Sequence, residues 1–94
     1  MKTKKYLVDV DRYNTVCFYK WGSKGKVLHR EDGPAVEYAN GTKFWYLNGK
    51  RHREDGPAIV YSDGVKSYHY NGKCFSFIKN DAQWKRHLKL VKFK

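Results

Sequence analysis

The chain has 94 residues, room for one domain with a small core, because folding at this size removes only roughly 60–65% of the unfolded surface from water. Twenty Lys and Arg against nine Asp and Glu give a formal charge of +11, which opposes compaction by self-repulsion and points to a polyanionic partner. The apolar runs are too short for a transmembrane helix, and Cys17 and Cys74 are too few for a disulfide framework; with no hydrophobic leader before them they imply a soluble protein in a reduced, cytoplasmic setting.

Residues 8 to 26 read as a degenerate half repeat. Val10, Asn14 and Phe18 recur as Val36, Asn40 and Phe44 at a shift of 26, and the loop from Gly22 to Gly25 replaces a shorter Asn-Gly turn. Lys20 and Lys26 flank that loop and Lys24 lies within it. Two full repeats follow, at 29–51 and 52–74. The segment His-Arg-Glu-Asp-Gly-Pro-Ala at 29–35 returns at 52–58, and the copies agree at 13 of 23 positions. A period in this range marks one supersecondary unit packed beside its copy. Each copy carries the signals of tight hairpins: Ala35–Ala39, Asn40-Gly41 and Thr42–Leu47 in the first, Ala58–Ser62, Asp63-Gly64 and Val65–Tyr70 in the second. Further turns at Asn48-Gly49 and Asn71-Gly72 extend the pattern into an antiparallel meander. In Asp-Gly-Pro at 32–34 and 55–57, Gly is expected to supply positive φ and Pro to fix φ in a turn.

Positions apolar in both copies are expected to face the core: Val36 and Tyr38 with Ile59 and Tyr61, Trp45 and Leu47 with Tyr68 and Tyr70. The intervening positions change character, Glu37 against Val60, Phe44 against Ser67, Tyr46 against His69, and are expected to face solvent or a partner. Strand signals end near Phe77. Asn80 then reads as an N-cap with Gln83 reaching back, opening a helix over 80–92 whose apolar stripe is Trp84, Leu88 and Val91. The fold class is mainly β (α+β): an antiparallel β-hairpin meander of two 23-residue repeats with one C-terminal basic α-helix, forming a single domain over 1–94.

The charged motif brings His, Arg and two acids together twice. His-x-Glu-Asp lacks a zinc-binding spacing, and one active centre seldom needs two copies a structural period apart. Local pairing of Arg30 and Arg53 with Glu31, Asp32, Glu54 or Asp55 to fix a turn is the expected role. His69 and His87 stand alone without a Ser or Cys partner in a catalytic pattern, so no enzyme, metal or cofactor is predicted.

The repeat, written His-Arg-Glu-Asp-Gly-Pro-Ala, then Tyr-x-Asn/Asp-Gly-x-Lys, then Asn-Gly-Lys, resembles a MORN-like β-hairpin repeat of tailed-phage and bacterial proteins, over residues 29–73. The resemblance implies a hairpin meander and a phage-associated origin, and it transfers no active site. The chain is similar in size and charge to phage counter-defence factors that inhibit a host RNA-targeting toxin or nuclease, which would place it in the host cytoplasm.

The basic residues outside the motif carry the functional expectation. Lys2, Lys4 and Lys5 open the chain, and residues 79–94 hold six positive charges against Asp81. Phosphate contacts release counterions and give sequence-independent affinity. Exposed aromatics stack on unpaired bases. The nucleic-acid-binding residues expected are Lys20, Lys24, Lys26, Phe44, Tyr46, Lys79, Lys85, Arg86, Lys89 and Lys92, with single-stranded or structured RNA as ligand. The alternative is a protein-interaction module that binds an acidic host protein without nucleic acid. A homodimer through uncovered edge strands is a further expectation.

Overall fold

The two-residue turns of the repeat set the dimensions of the strands, most of which are only two residues long. The structure, a computed structural model, describes residues 6–92, with side chains to Leu90. Lys2, Lys4, Lys5 and Lys94, and the side chains of Val91 and Lys92, lie outside the described residues. The strands are β1 (Leu7–Val10), β2 (Val16–Gly22), β3 (Gly25–Leu28), β4 (Val36–Glu37), β5 (Lys43–Phe44), β6 (Tyr46–Leu47), β7 (Lys50–Arg51), β8 (Ile59–Val60), β9 (Lys66–Ser67), β10 (His69–Tyr70) and β11 (Lys73–Cys74). One helix, α1 (Asp81–Lys92), follows. The seven-stranded sheet runs β1-β2-β4-β5-β8-β9, with β3 also paired to β2, while β6-β7 and β10-β11 form two hairpins beside it. Every pair is antiparallel, so the chain is mainly β with a single C-terminal helix, the hairpin meander expected.

Three residues mark where a strand changes partner. Phe18 donates its N–H to Ala35 O at 2.7 Å and accepts from His29 N–H at 3.0 Å; Trp45 does the same with Ala58 at 2.7 Å and His52 at 3.1 Å. At Tyr68 the carbonyl accepts from Phe75 N–H at 2.9 Å. Phe18 therefore corresponds to Trp45, 27 residues on, and not to Phe44 as the shift of 26 suggested. The turn agrees: Asn14 N–H to Asp11 O repeats as Gly41 N–H to Tyr38 O and Gly64 N–H to Tyr61 O, so Asn14 is the counterpart of Gly41.

The Asn-Gly and Asp-Gly signals resolve into two turn types. At Asn48-Gly49 both residues have positive φ, 54° and 80°, as at Asn71-Gly72 with 49° and 89°, which is the two-residue turn that matches strand twist. At Asn40-Gly41 only the glycine is positive, at 95°, and Tyr38 N–H donates to Thr42 O across a three-residue loop. Asn40 Oδ1 accepts from Thr42 N–H at 2.9 Å there, and Asp63 Oδ1 from Val65 N–H at 3.1 Å.

The charged motif locks these hairpins together. The buried His29 ring accepts Asn48 N–H on Nδ1 at 2.9 Å, and its Nε2 faces Glu31 Oε2 at 3.4 Å; His52 repeats both contacts with Asn71 at 2.9 Å and Glu54 at 3.3 Å. Arg30 donates Nε–H to Asp32 and Nη1–H to the Pro34 carbonyl while its guanidinium lies 4.0 Å from the centre of the Phe18 ring. Arg53 does so with Asp55, Pro57 and Trp45, at 3.9 Å from that ring. Each motif thus clamps the partner-changing residue of the preceding unit, and a stacked cation of this kind contributes about 0.5–2 kcal/mol.

Gly33 and Gly56 do not take positive φ, contrary to expectation. Their role is close approach: a Cβ at Gly56 would stand 3.1 Å from Arg53 Cζ, and one at Gly33 would stand 3.0 Å from Arg30 Cζ. Gly56→Ala is expected to lower stability by about 1 kcal/mol by shifting the guanidinium off Trp45. In an Arg53→Ala background the same change should be neutral or slightly stabilising, because Ala narrows the unfolded ensemble. Urea unfolding midpoints of the four proteins in this cycle check it.

At the third unit the helix replaces the arginine. Ser76 stands where a further Arg would fall, and Trp84 packs on Tyr68 instead, ring centres 5.5 Å apart, with its Nε1–H donating to Arg53 O at 3.0 Å. Tyr68, Phe75, Ile78, Trp84 and Leu88 form the main core cluster, against which Tyr70 packs. The helix starts as its sequence indicates: Gln83 N–H donates to Asn80 Oδ1 at 2.9 Å. Gln83 Oε1 reaches back to Lys79 N–H at 2.7 Å, one residue beyond the cap.

Burial pushes the Tyr68 hydroxyl, reinforced by its 2.7 Å hydrogen bond to Asp81, up to about 12. A raised tyrosine value means the folded state keeps a proton that the unfolded state loses above its ordinary value of about 10. The contribution is therefore complete below pH 10 and is lost as pH rises toward 12. Alkaline unfolding followed by Trp fluorescence is expected to show this loss in the wild type and not in Tyr68→Phe.

Candidate nucleic-acid interface

Cross-strand partners in an antiparallel sheet share a side, so Cys17, Val36, Phe44, Ile59 and Ser67 lie on one side of the sheet. Phe44 is the centre of an aromatic platform there. Tyr38 and Tyr61 meet it edge-on, at 5.7 and 6.3 Å, Tyr46 lies nearly parallel at 6.3 Å and 20°, and the Arg51 guanidinium is 5.6 Å from its ring centre. Tyr38 and Tyr61 remain 43% and 41% exposed, which corrects their assignment to the core. They stand immediately before the three-residue loops, where the sheet ends and the rings lean on Phe44 from outside. Of the other expected core positions, Val36, Ile59 and Tyr68 are buried, while Trp45, Leu47 and Tyr70 are half-buried. Phe44 and Tyr46, expected to face outward, are half-buried within the platform.

Copy two puts Ser67, His69 and Cys74 at the places of Phe44, Tyr46 and Arg51. Ser67 Oγ lies 2.8 Å from His69 Nε2 and 3.7 Å from Cys74 Sγ. His69 is 3% exposed, which corrects its placement toward solvent, and burial, with Arg51 nearby, holds its imidazole below the ordinary value. The second copy therefore repeats none of Phe44, Tyr46 and Arg51, and it contributes Tyr61 to the platform.

The three loop lysines do not form one patch. Lys20 pairs across the hairpin with Val27 and Lys26 with Trp21, so Lys20 and Lys26 project to opposite sides. Lys26 shares the platform side with Tyr19 and Trp21. It is engaged with Asp9 at 2.8 Å and lies 4.5 Å from the Tyr19 ring centre, and the Asp9 hydrogen bond raises its value. Lys24 is exposed at the hairpin tip. Trp21, 71% exposed, and Arg51 are platform-side groups that the sequence reading did not single out. The signal for Arg51 was the change from Arg51 to Cys74 between copies, which parallels Phe44 to Ser67.

The helix lies on the other side. Tyr68, which carries Trp84, points away from its neighbours Ser67 and His69, so α1 covers the side opposite the platform. Lys85 and Lys89 share one exposed flank of α1, Arg86 sits on another, and Lys79 is exposed before the N-cap. The expected site residues thus divide into an aromatic group and a helical basic group on opposite sides of the sheet. Also opposite the platform, the two charged motifs face each other across a groove of about 550 Å3 floored by Trp45 and Leu47. Among the described residues no group of three or more His, Cys, Asp or Glu is placed to hold a metal ion, and no helix is long and apolar enough to cross a membrane.

Comparison with protein-family models, with curated proteins and with solved structures finds no match to this chain. The residues themselves carry the functional reading.

Proposed function

We propose that the protein binds single-stranded RNA on the aromatic platform, with unpaired bases against Tyr38, Phe44, Tyr46 and Tyr61 and a phosphate held by Arg51. The observation that supports this most is the join of four rings, through three ring contacts, and one guanidinium on an open sheet side of a chain with charge +11. Base-aromatic stacking is worth about 1–3 kcal/mol per base and tolerates any sequence. Lys85, Arg86 and Lys89, on the far side, act through the summed field that draws a polyanion in. In a phage, such a protein would serve as a counter-defence factor that occupies the RNA of a host toxin or nuclease.

Gel-shift titration of an oligouridylate at two salt concentrations tests the reading. Retention at low salt that weakens steeply at high salt is expected, since each phosphate neutralised on a single strand adds about 0.7 to the log-log slope. No retention, or a slope near zero, would sink it.

A further inference from the structure

Phe77 and Leu90 are large apolar side chains left 61% and 66% exposed, and they stand together. With Ile78, Gln83, Arg86 and His87 they line a cleft of about 240 Å3 between the chain entering α1 and one flank of the helix. Volume limits the occupant, because sites that enclose a small-molecule ligand start at roughly 300 Å3, whereas this cleft takes one anchoring side chain. Much of its wall is packed before anything binds. Ile78 belongs to the core, the His87 ring stands edge-on to both Phe75 and Phe77 at 5.1 Å, and Gln83 is held by Asn80 and Lys79. A preformed cleft avoids much of the ordering cost of association.

The charge around it has one sign. Arg86 lines the cleft, Lys79 and Lys89 adjoin its lining residues in the chain, and the one acid between residues 75 and 90, Asp81, receives the Tyr68 hydroxyl. The rings here pack edge to face, Phe77 on Phe75 and on His87, without the near-parallel pair that Phe44 and Tyr46 form in the platform. We propose that this cleft docks an acidic protein segment through one large apolar side chain, with flanking carboxylates against Arg86, Lys79 and Lys89. A buried anchor with a charged rim is the usual anatomy of such contacts, the anchor setting affinity and the charges setting the rate of encounter. The proposal is independent of RNA binding, which uses the other side of the sheet.

Fluorescence anisotropy with a labelled Asp-Glu-Asp-Phe-Asp-Glu-Asp peptide, its twin with Ala for Phe, and an oligouridylate tests it on wild type and on Leu90→Glu and Phe77→Ser, with helicity by circular dichroism as the folding control. The Phe peptide should bind at least about 10-fold more tightly than its twin, and either substitution should weaken it about 10-fold while oligouridylate binding changes less than about 2-fold. Equal binding of the two peptides would reduce the contact to bulk charge and overturn the proposal. So would unchanged Phe-peptide affinity in both variants, or loss of oligouridylate binding in both, which would make nucleic acid the occupant.

Discussion

Replacing Trp84 by alanine is expected to cost about 3–5 kcal/mol, a large fraction of the 5–15 kcal/mol that holds a domain of this kind together. Trp84 is fully buried, with Tyr68 and Phe75 at 5.5 and 5.4 Å between ring centres, and its indole N–H satisfies the Arg53 carbonyl. The loss has two parts: the cavity, and a partly buried carbonyl left without its donor. Trp84→Phe restores much of the packing but not the hydrogen bond, so it should fall between alanine and wild type. The β10–β11 hairpin of the second repeat forms a two-stranded sheet of its own, and its Tyr70 packs against the cluster that Trp84 completes. The damage should therefore spread, with hydrogen exchange accelerating at Arg53 and Phe75 as well as in α1. Denaturant unfolding of the three proteins, with exchange as the local readout, measures this. A cost below 1 kcal/mol would mean that the helix is an appendage and not the cap of the repeat array.

The second large effect concerns binding. Tyr46→Ala with Arg51→Ala is expected to reduce affinity for oligouridylate by roughly 5- to 150-fold, the equivalent of about 1–3 kcal/mol, with a smaller loss of stability than Phe44→Ala because Arg51 is exposed and Tyr46 only half-buried. Phe44→Ala should lower affinity at least as much, but it also removes packing from Val36 and Ile59, so the double variant is the cleaner test. Lys85→Ala with Lys89→Ala is expected to act differently. Those lysines lie across the sheet from the platform, so they should lower affinity less and by a similar factor for every sequence, through the field alone. Filter-binding isotherms for these variants at matched salt separate the two contributions. If the helix pair cost more than the platform pair, the RNA path would run along α1.

What could be read from the sequence follows from how local each feature is. The Asn48-Gly49 and Asn71-Gly72 turns and the Asn80 cap depend on neighbours within a few residues, and all of them formed. Local pairing in the charged motif was legible too: Arg30 and Arg53 bond Asp32 and Asp55, and His29 and His52 face Glu31 and Glu54. The stacking of Arg30 on Phe18 and Arg53 on Trp45 was not legible, because it joins successive units through space. That is also why the two motif glycines were misread: the space they leave is filled by a side chain from three residues earlier, and no backbone torsion records it. Alternation placed Tyr38 and Tyr61 on the side of Val36 and Ile59, where they meet Phe44, but beside the three-residue loops that side is left open and the rings stay exposed. The candidate site was half legible. Phe44 and Tyr46 could be named from their variation between copies, but the division of the basic residues between two sides depends on where α1 docks, and that is decided by Tyr68 meeting Trp84.

Ultraviolet cross-linking of the protein to an oligouridylate, with the modified peptides identified by mass spectrometry, tests the central claim most directly. Adducts are expected on the segments that carry Tyr38, Phe44, Tyr46 and Tyr61. Adducts confined to α1, or none at concentrations where gel shift shows a complex, would contradict it.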